Sequence, residues 1–219
     1  MGAPVITIDG PSASGKGTVA QLVAKALGFH YLDSGSLYRL VALAAIRGGV
    51  PLDDEGRLAE IARALEARFE GREIWLSRER ATEAIREEAC SRGASQVAAW
   101  PGVRAALLDR QRAFQRAPGL VAEGRDMGSI VFPSAELKVF LTAGAEARAE
   151  RRYKQLKGKG ITVTLSDLLQ DLRERDARDA NRSVAPLKQC PDAHPLDTTA
   201  MSAEEAADVI LAWYRGAKA

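Results

Sequence analysis

The sequence predicts an α/β protein built around a parallel sheet. Short β-branched or apolar runs alternate with amphipathic helical segments through most of the 219 residues, which is typical of repeated strand–helix–strand units. The first run, at residues 4–9, is followed by a glycine-rich loop and then by a segment at 19–27 with apolar residues at helical spacing. A chain of this length buries one substantial core, so we expect one domain or one domain with a small insertion.

The composition narrows the class of protein. The chain is 27% charged, with a net charge of only +2, and its basic residues cluster locally, which predicts a localised site and no nucleic-acid partner. No run approaches the roughly 18 apolar residues of a membrane span, and no secretory leader is recognisable, so we expect a cytoplasmic protein without a membrane partner. Cys90 and Cys190 are isolated, and we expect both to be reduced thiols without a metal role.

The glycine-rich loop predicts a site for nucleotide phosphates. Its glycines let the backbone form a cup of N–H groups, and the next helix directs its positive N-terminus at that cup. Lys16 adds a point charge for the outer phosphates. A tight strand-to-helix turn without a ligand is the alternative. The predicted binding residues are Gly10, Pro11, Ser12, Ala13, Ser14, Gly15, Lys16, Gly17 and Thr18.

The loop departs from the usual pattern at one position. Ser or Thr normally follows the lysine, whereas this chain has Gly17 there and the hydroxyl comes one residue later, at Thr18. The Gly-Lys-Gly-Thr form resembles the loop of nucleoside monophosphate kinases more than that of GTPases. It leaves open whether Thr18 ligates Mg²⁺ directly.

A second candidate segment follows the second predicted strand, at residues 29–33. That strand ends in Asp33-Ser34-Gly35, before a helix over 37–47. Ligands of open parallel sheets gather outside the carboxyl ends of the strands, which favours a binding role for this turn. The alternative is a helix N-cap followed by a solvent-facing Arg39.

Residues 51–96 predict an inserted subdomain, and residues 1–50 and 97–219 predict the core. The insertion begins with a charged amphipathic helix reaching residue 67. A hairpin about Gly71 follows, and then a second helix over 79–90. We expect hinges near Gly48-Gly49 and Gly93, which would let the insertion close over a substrate.

The next candidate site follows a helix at 101–116 and a strand at 120–123. Two glycines bracket an Arg-Asp pair in Gly124-Arg125-Asp126-Met127-Gly128, which predicts a binding loop, with a structural ion pair as the alternative. Another core strand is expected at 137–142.

Two arginine-bearing helices predict a lid at about 148–182. One runs over 145–156, and the other is capped by Ser166 and runs to about 180. A basic glycine-rich turn joins them, and the bias to arginine favours phosphate, which a guanidinium binds with a bidentate fork. Ordinary i,i+4 pairing with Glu174, Asp176 and Asp179 is the alternative. The arginines are Arg148, Arg151, Arg152, Arg173, Arg175, Arg178 and Arg182. A short strand at 196–199 and a Ser202–Glu205 capping box complete the chain.

Together these motifs resemble the bacterial cytidylate kinases, nearly from end to end. The matching segments are Ile8-Asp9-Gly10-Pro11-Ser12, Gly15-Lys16-Gly17-Thr18, Leu32-Asp33-Ser34-Gly35, Tyr38-Arg39, Gly124-Arg125-Asp126-Met127-Gly128, Val131-Phe132-Pro133, Arg175-Asp176, Arg178-Asp179 and Asn181-Arg182. The resemblance implies a P-loop kinase with a five-stranded parallel sheet, a monophosphate-binding insertion and a helical lid. It also implies transfer of a phosphoryl group from ATP to CMP or dCMP with Mg²⁺.

The resemblance also implies roles for individual residues. Lys16, Arg39, Arg125 and Arg182 would act in phosphoryl transfer, with the three arginines and Ser34 holding the acceptor phosphate. Arg175 and Asp179 would hold its ribose, and Ser95, Arg104 and Asp126 would read cytosine. Arg151 and Arg152 would join the loop in binding ATP. Residues 87–92 depart from the pattern expected before Ser95.

The chemistry of the acceptor accounts for two further expectations. A carboxylate accepts from the 4-amino group of cytosine, whereas uracil presents an acceptor there, so CMP should be preferred. The acceptor phosphate is largely anionic near neutral pH, since its second pKa is about 6, and no general base is needed. We therefore expect no catalytic role for His30 or His194.

A P-loop also occurs in three alternatives to a CMP kinase. One is a kinase for another acceptor, such as UMP or AMP, and another is a P-loop ATPase or nucleotide-binding module without an acceptor. A GTPase would need a guanine-reading Asn-Lys-x-Asp segment, but the sole Asn of the chain is Asn181, followed by Arg182. We expect a monomer with ATP, CMP and dCMP as its small-molecule partners.

Overall fold

The computed structural model describes residues 2–70, 73–158 and 160–216. The chain divides into two compact units. The larger unit comprises Met1–Leu32 and Phe114–Ala219, and the smaller unit comprises Asp33–Ala113. The smaller unit starts earlier and ends later than the insertion expected at 51–96, whose functional boundaries stay a prediction.

Strands occur in both units. In chain order they are β1 (Val5–Asp9), β2 (His30–Asp33), β3 (Ala67–Glu70), β4 (Glu73–Leu76), β5 (Glu79–Arg80), β6 (Leu120–Gly124), β7 (Leu137–Thr142) and β8 (His194–Asp197). A five-stranded sheet has the order β2-β6-β1-β7-β8, which confirms the predicted parallel core. Strand β1 is central, with Asp9 opposite Gly124 on one side and Phe140 on the other. The three remaining strands form an antiparallel sheet in the smaller unit.

The helices account for most of the remaining chain. They are α1 (Lys16–Leu27), α2 (Ser34–Arg47), α3 (Glu55–Arg63), α4 (Glu88–Val97), α5 (Pro101–Arg112), α6 (Ala145–Lys157), α7 (Leu165–Ala180) and α8 (Ala203–Gly216), with short helical turns at Ala84–Arg86 and Met127–Val131. The predicted helices ending at 67 and 116 stop earlier, at Arg63 and Arg112. The last strand starts at His194, two residues before the expected 196. Within the described residues, no helix combines the length and the apolar character that crossing a membrane requires.

The helix predicted over 79–90 is wrong. Residues 79–80 form strand β5, and α4 begins only at Glu88. The amide of Ala81 donates to the carbonyl of Ile74 at 2.8 Å, and the hydroxyl of Thr82 accepts from the amide of Ile74 at 2.9 Å. These bonds extend the small sheet. The hairpin itself is confirmed, with Ala67 opposite Leu76, although its centre at Gly71 lies outside the described residues.

One predicted helix cap is confirmed, at α8, and another is wrong, at α7. Ser202 and Glu205 form the expected capping box, since the amide of each is bonded to the side chain of the other, at 2.8 and 3.1 Å. Helix α7 is capped by Thr164, whose hydroxyl accepts from the amide of Asp167 at 3.1 Å, and not by Ser166.

The side chains of β1 alternate between the apolar core on one face of the sheet and polar positions on the other. Ile6 and Ile8 are fully buried in a cluster that includes residues of β7, α1 and α8. Because successive side chains of a strand point to opposite faces, Thr7 and Asp9 point to the other face. The buried polar side chains of the central strand thus lie on one face of the sheet, with Asp9 at its carboxyl end.

Candidate active site

The glycine-rich loop connects the carboxyl end of β1 to the first turn of α1. Gly15 has φ 92° and Ala13 has φ 58°, so the backbone turns through the left-handed region twice. Such turns direct successive N–H groups into one concavity, which binds anions. At the start of the loop, a Cβ on Gly10 would lie 2.0 Å from the carbonyl oxygen of Leu141, so only glycine fits there. The loop therefore has the left-handed turns and the close packing at Gly10 that suit an anion-binding concavity, and its role in binding phosphate stays a prediction.

The polar side chains of the loop differ in their exposure. Lys16 is buried, and its Nζ donates to the carbonyl of Pro11 at 3.0 Å, across the loop. The buried hydroxyl of Ser14 has no hydrogen-bond partner among the described residues. Thr18 is exposed in the first turn of α1. Of these three side chains, only that of Thr18 is exposed to solvent.

A carboxylate on β6 explains the unusual Gly17. A Cβ at this position would lie 2.7 Å from Oε1 of Glu123, a contact that a side chain cannot make without displacing it. Glu123 is buried, and Tyr31 donates its hydroxyl hydrogen bond to the same oxygen. The space that Ser or Thr would occupy is therefore taken by Glu123. Sequence reasoning missed this residue, although an acid at the end of an apolar strand was a signal.

Asp9 was also missed, and it links the loop to the Arg125-Asp126 segment. Its two carboxylate oxygens accept from the amides of Met127 at 2.9 Å and Gly128 at 2.8 Å. Burial raises the pKa of the Asp9 carboxyl to about 6, against the opposing effect of these two amides. The negative charge of Asp126 adds to the rise, and Lys16 opposes it.

Three of the predicted site residues lie together in the larger unit. Nε of Arg125 donates to Oδ2 of Asp179 at 2.8 Å, and both side chains are largely buried. Nε of Arg182 donates to the backbone carbonyl of Asp179 at 3.4 Å. Burial alone would raise the pKa of Asp179, but the charges of Arg125, Arg182 and Arg175 and the bond from Arg125 outweigh it and hold that pKa below its ordinary value. Asp179 is thus kept ionised amid three guanidinium groups.

The predicted lid arginines have two kinds of contact. Arg148 donates to the carbonyls of Ala143 at 2.9 Å and Ser12 at 3.2 Å, and it pairs with Asp176 at 2.7 Å. Arg151 donates to the carbonyl of Ser14 at 3.0 Å and also to that of Thr198. These two side chains hold the phosphate loop by its carbonyl oxygens.

Other arginines of the predicted lid bond to polar or acidic side chains on its surface. Arg152 donates to the side chain of Gln155 at 2.9 Å. Arg173 pairs with Glu146 at 3.2 Å, and Arg178 is 4.0 Å from Glu174. The i,i+4 alternative therefore describes Arg178, whereas Arg148 and Arg173 form pairs between α6 and α7.

The smaller unit carries the remaining predicted residues. Asp33 caps α2, accepting from the amide of Ser36 at 3.2 Å, and Ser34 is buried in the first turn. Nη1 of Arg39 donates to the carbonyl of Ile85 at 3.0 Å, so this side chain is fixed in place and does not simply face solvent. The N-cap expected as an alternative is therefore real, and it does not remove Arg39 from consideration.

Two further residues of the smaller unit were expected to read a base. Arg104 is buried on α5, where its Nη1 donates to the carbonyl of Ala98 at 3.2 Å and its guanidinium carbon lies 5.7 Å from the ring centre of Tyr38. Ser95 is buried on α4, and its hydroxyl has no hydrogen-bond partner among the residues that the structure describes. A buried polar atom without a partner is costly, which is a reason to look for a ligand there.

This protein has the fold of the P-loop kinases. A glycine-rich loop follows the central parallel strand, and an arginine–carboxylate cluster lies beside it. The same fold is found in the gluconokinase of Sinorhizobium meliloti, which superposes with a TM-score of 0.51 at 20% identity, covering 98% of this chain and 94% of that one.

The sequence then specifies the family within that class. The family model described as "Cytidylate kinase" matches residues 6–215. The chain is 60% identical to the cytidylate kinase of Chromobacterium violaceum, over 98% of this chain and 96% of the relative, and 57% identical to that of Bordetella bronchiseptica, over 97% and 96%. The protein belongs to the cytidylate kinase family and is a kinase.

Proposed function

We propose that this protein transfers the γ-phosphoryl group of ATP to CMP or dCMP, giving ADP and CDP or dCDP. The observation that carries the proposal is the cluster of Arg125, Asp179 and Arg182, which lies next to the phosphate loop. Its first member, Arg125, directly follows Gly124. The carbonyl of Gly124 accepts from the amide of Gly10, the first residue of the phosphate loop, at 3.3 Å. A cationic cluster next to a phosphate loop suits a second phosphate group.

The chemistry required of the residues is mainly electrostatic. The acceptor oxygen is already anionic and attacks the γ-phosphorus directly and in line, so the main obstacle is repulsion between two polyanions. We assign relief of this repulsion to Lys16, the amides of the loop and the guanidinium groups of Arg39, Arg125 and Arg182. The lid, about residues 148–182, would exclude water, which otherwise competes for the phosphoryl group.

Mg²⁺ is the cofactor expected with ATP in this family. The chain offers oxygen donors of the kind Mg²⁺ takes, namely the hydroxyl of Thr18 and the carboxylate of Glu123 next to Gly17. These donors fit a metal bound mainly through ATP phosphates. When bound, it would neutralise charge on the β- and γ-phosphate oxygens.

The remaining roles follow the parts of each nucleotide. Ser34 would bind the acceptor phosphate, while Arg175 and Asp179 would bind the ribose. Ser95, Arg104 and Asp126 would select cytosine. The buried hydroxyl of Ser95, which has no hydrogen-bond partner in the described part of the chain, supports its part in this set. On the ATP side, Arg152 would bind the nucleotide directly. Arg151, bonded to the carbonyl of Ser14, would act mainly by holding the loop.

The cellular setting is part of the same proposal. We expect a cytoplasmic monomer that binds neither nucleic acid nor membranes, and the net charge of +2 supports the absence of a nucleic-acid partner. Size-exclusion chromatography with light scattering, at several protein concentrations, tests the monomer.

The deciding experiment is a coupled assay of ADP release with ATP, Mg²⁺ and one monophosphate at a time: CMP, dCMP, UMP, AMP or GMP. Fast turnover with CMP and dCMP alone supports both the reaction and the selection of cytosine. If UMP or AMP were preferred, the transfer site would stand and the roles of Ser95, Arg104 and Asp126 would be wrong. ATP hydrolysis that no monophosphate stimulates would instead indicate an ATPase module.

A further inference from the structure

The carboxylate of Asp9 binds two successive amides of a loop more than a hundred residues away in the chain. Oδ1 accepts from Met127 and Oδ2 from Gly128, at 2.9 and 2.8 Å, so each oxygen has its own donor. Asp9 is only 6% exposed. Bonds from neutral amides to a buried carboxylate are strong and directional, and they fix the position of the backbone that donates them.

The same loop is held at its other end by the backbone of β1. Asp9 lies opposite Gly124 in the parallel pair of β1 and β6, and Gly10 donates to the carbonyl of Gly124. Arg125 and Asp126 therefore occupy a two-residue span with both flanks fixed at residues 9 and 10. A shift of either flank would move both side chains.

Close packing against β1 and β7 leaves the loop no alternative position on that side. A Cβ on Gly128 would lie 2.8 Å from Oγ1 of Thr7 and 3.2 Å from Cδ of Lys138. The backbone at 128 thus lies directly on the sheet. The amide bonds to Asp9 and this contact together determine the height of the loop above the strands.

From this geometry we infer that Asp9 is a positioning residue for the acceptor nucleotide, acting through the amides of Met127 and Gly128 to aim Arg125 and Asp126. This inference rests on the proposed function. In this scheme Asp9 acts through the loop, since each of its oxygens accepts from a loop amide and the side chain is almost completely buried. It joins the strand that leads into the ATP loop to the segment that binds the acceptor.

Asp9→Asn is the variant that tests this role most directly. An asparagine has one oxygen and one NH₂ group, so one of the two amides would face a second donor, and the loop would have to move away. We expect the KM for CMP to rise by about tenfold or more and kcat to fall, while the Kd for ATP without acceptor stays within about threefold. A general structural defect would weaken both substrates alike.

Two companion variants make the result interpretable. Gly128→Ala keeps Asp9 but pushes the loop off Thr7, so it should reproduce the selective loss for CMP, and it answers the question if Asp9→Asn fails to fold. Asp54→Asn is the matched control, because Asp54 also accepts from a backbone amide, that of Arg57 at 3.1 Å, in an exposed helix cap outside the proposed site. It should leave both nucleotides unaffected.

The inference is wrong if Asp9→Asn folds and keeps the wild-type KM for CMP, or if it weakens ATP and CMP equally. For Gly128→Ala, an unchanged KM for CMP in a folded protein has the same meaning. A wild-type protein that phosphorylates no monophosphate would overturn the proposed function and this inference with it. An active wild type beside an unaffected Asp9→Asn variant would overturn the inference alone.

Discussion

Nε of Arg125 lies 2.8 Å from Oδ2 of Asp179, and only 16% and 5% of the two side chains are exposed. This ion pair connects the Gly124–Gly128 segment to the end of α7. Because the same arginine is proposed to bind the acceptor phosphate, this bond holds its guanidinium in place before the nucleotide arrives. Such prior orientation lowers the entropy that binding must overcome.

Arg125→Ala should lower kcat/KM for CMP by at least about a hundredfold, since a cation that stabilises the transferring group is lost. We expect the protein to remain folded with a loss of about 1–3 kcal/mol in unfolding free energy, because Arg182 and Arg175 still surround Asp179. Steady-state kinetics and chemical denaturation measure the two effects. Arg178→Ala, at an exposed position, is the control. Unchanged turnover in Arg125→Ala would remove this residue from the mechanism.

The raised pKa of Asp9 predicts a pH dependence of stability. The folded protein holds the proton of this carboxyl more tightly than the unfolded chain does, because the pKa rises from 3.8 to about 6. The stabilisation from this carboxyl is therefore complete below the unfolded pKa and is lost as the pH rises through about 6. The unfolding free energy of the wild type minus that of Asp9→Asn should fall by about 2 kcal/mol between about pH 4 and pH 7.

Urea denaturation of both proteins across that range provides the measurement. Loss of a hydrogen bond in Asp9→Asn changes the unfolding free energy by the same amount at every pH. The prediction concerns only the part of the difference that varies with pH. A difference that does not vary with pH would show that Asp9 titrates in the folded protein as it does in the unfolded chain.

Gly17→Ala should disturb the phosphate loop, because the added Cβ would lie 2.7 Å from Oε1 of Glu123. We expect a loss of about 1–3 kcal/mol in stability, as for other overpacked positions, together with weaker ATP binding. Adding Glu123→Ala should recover part of the stability, so the double variant loses less than the sum of the single ones. Calorimetry of unfolding and of ATP binding measures both. Gly216→Ala is the control, because its added Cβ would have no atom of the described residues within 4 Å apart from its chain neighbours and its own helix backbone. Strict additivity would contradict the proposed clash.

Ser95→Ala separates binding from folding. The hydroxyl is buried without a partner among the described residues, so its removal should cost little stability or increase it slightly. If it bonds to cytosine, the KM for CMP should rise by about tenfold while the Kd for ATP is unchanged. Ser91→Ala, at a buried serine of the same helix, is the matched control. Equal KM values for wild type and Ser95→Ala would exclude this serine from base recognition.

Local patterns predicted much of the fold and indicated two segments of the candidate site. The strand, loop and helix at residues 4–27 were recognisable because each depends on neighbours in the sequence. The Gly124–Gly128 segment was singled out as a candidate for the same reason. The helix expected over 79–90 failed because Ala81 and Thr82 bond to Ile74 across the small sheet. A helical pattern does not contain that competing interaction.

Long-range contacts explain what the sequence did not predict about the site. Asp9 bonds to amides 118 and 119 residues away, and no feature of its neighbours indicates this. Arg148 and Arg151 looked like phosphate ligands because arginine prefers phosphate, yet their partners here include carbonyls 136 and 137 residues away. Backbone acceptors leave no trace in residue identity, so the composition of α6 could not distinguish the two roles.

The bonds of Arg148 and Arg151 to the carbonyls of Ser12 and Ser14 fix the start of α6 against the phosphate loop. They attach the first two turns of α6 to the wall of the phosphate loop, so this part of the helix cannot swing without breaking them. If residues 148–182 form the proposed lid, these bonds place its hinge beyond Arg151, and its moving portion would be shorter than the run of arginines suggests. Small displacements of the distal helix would then leave the geometry of the ATP loop unchanged.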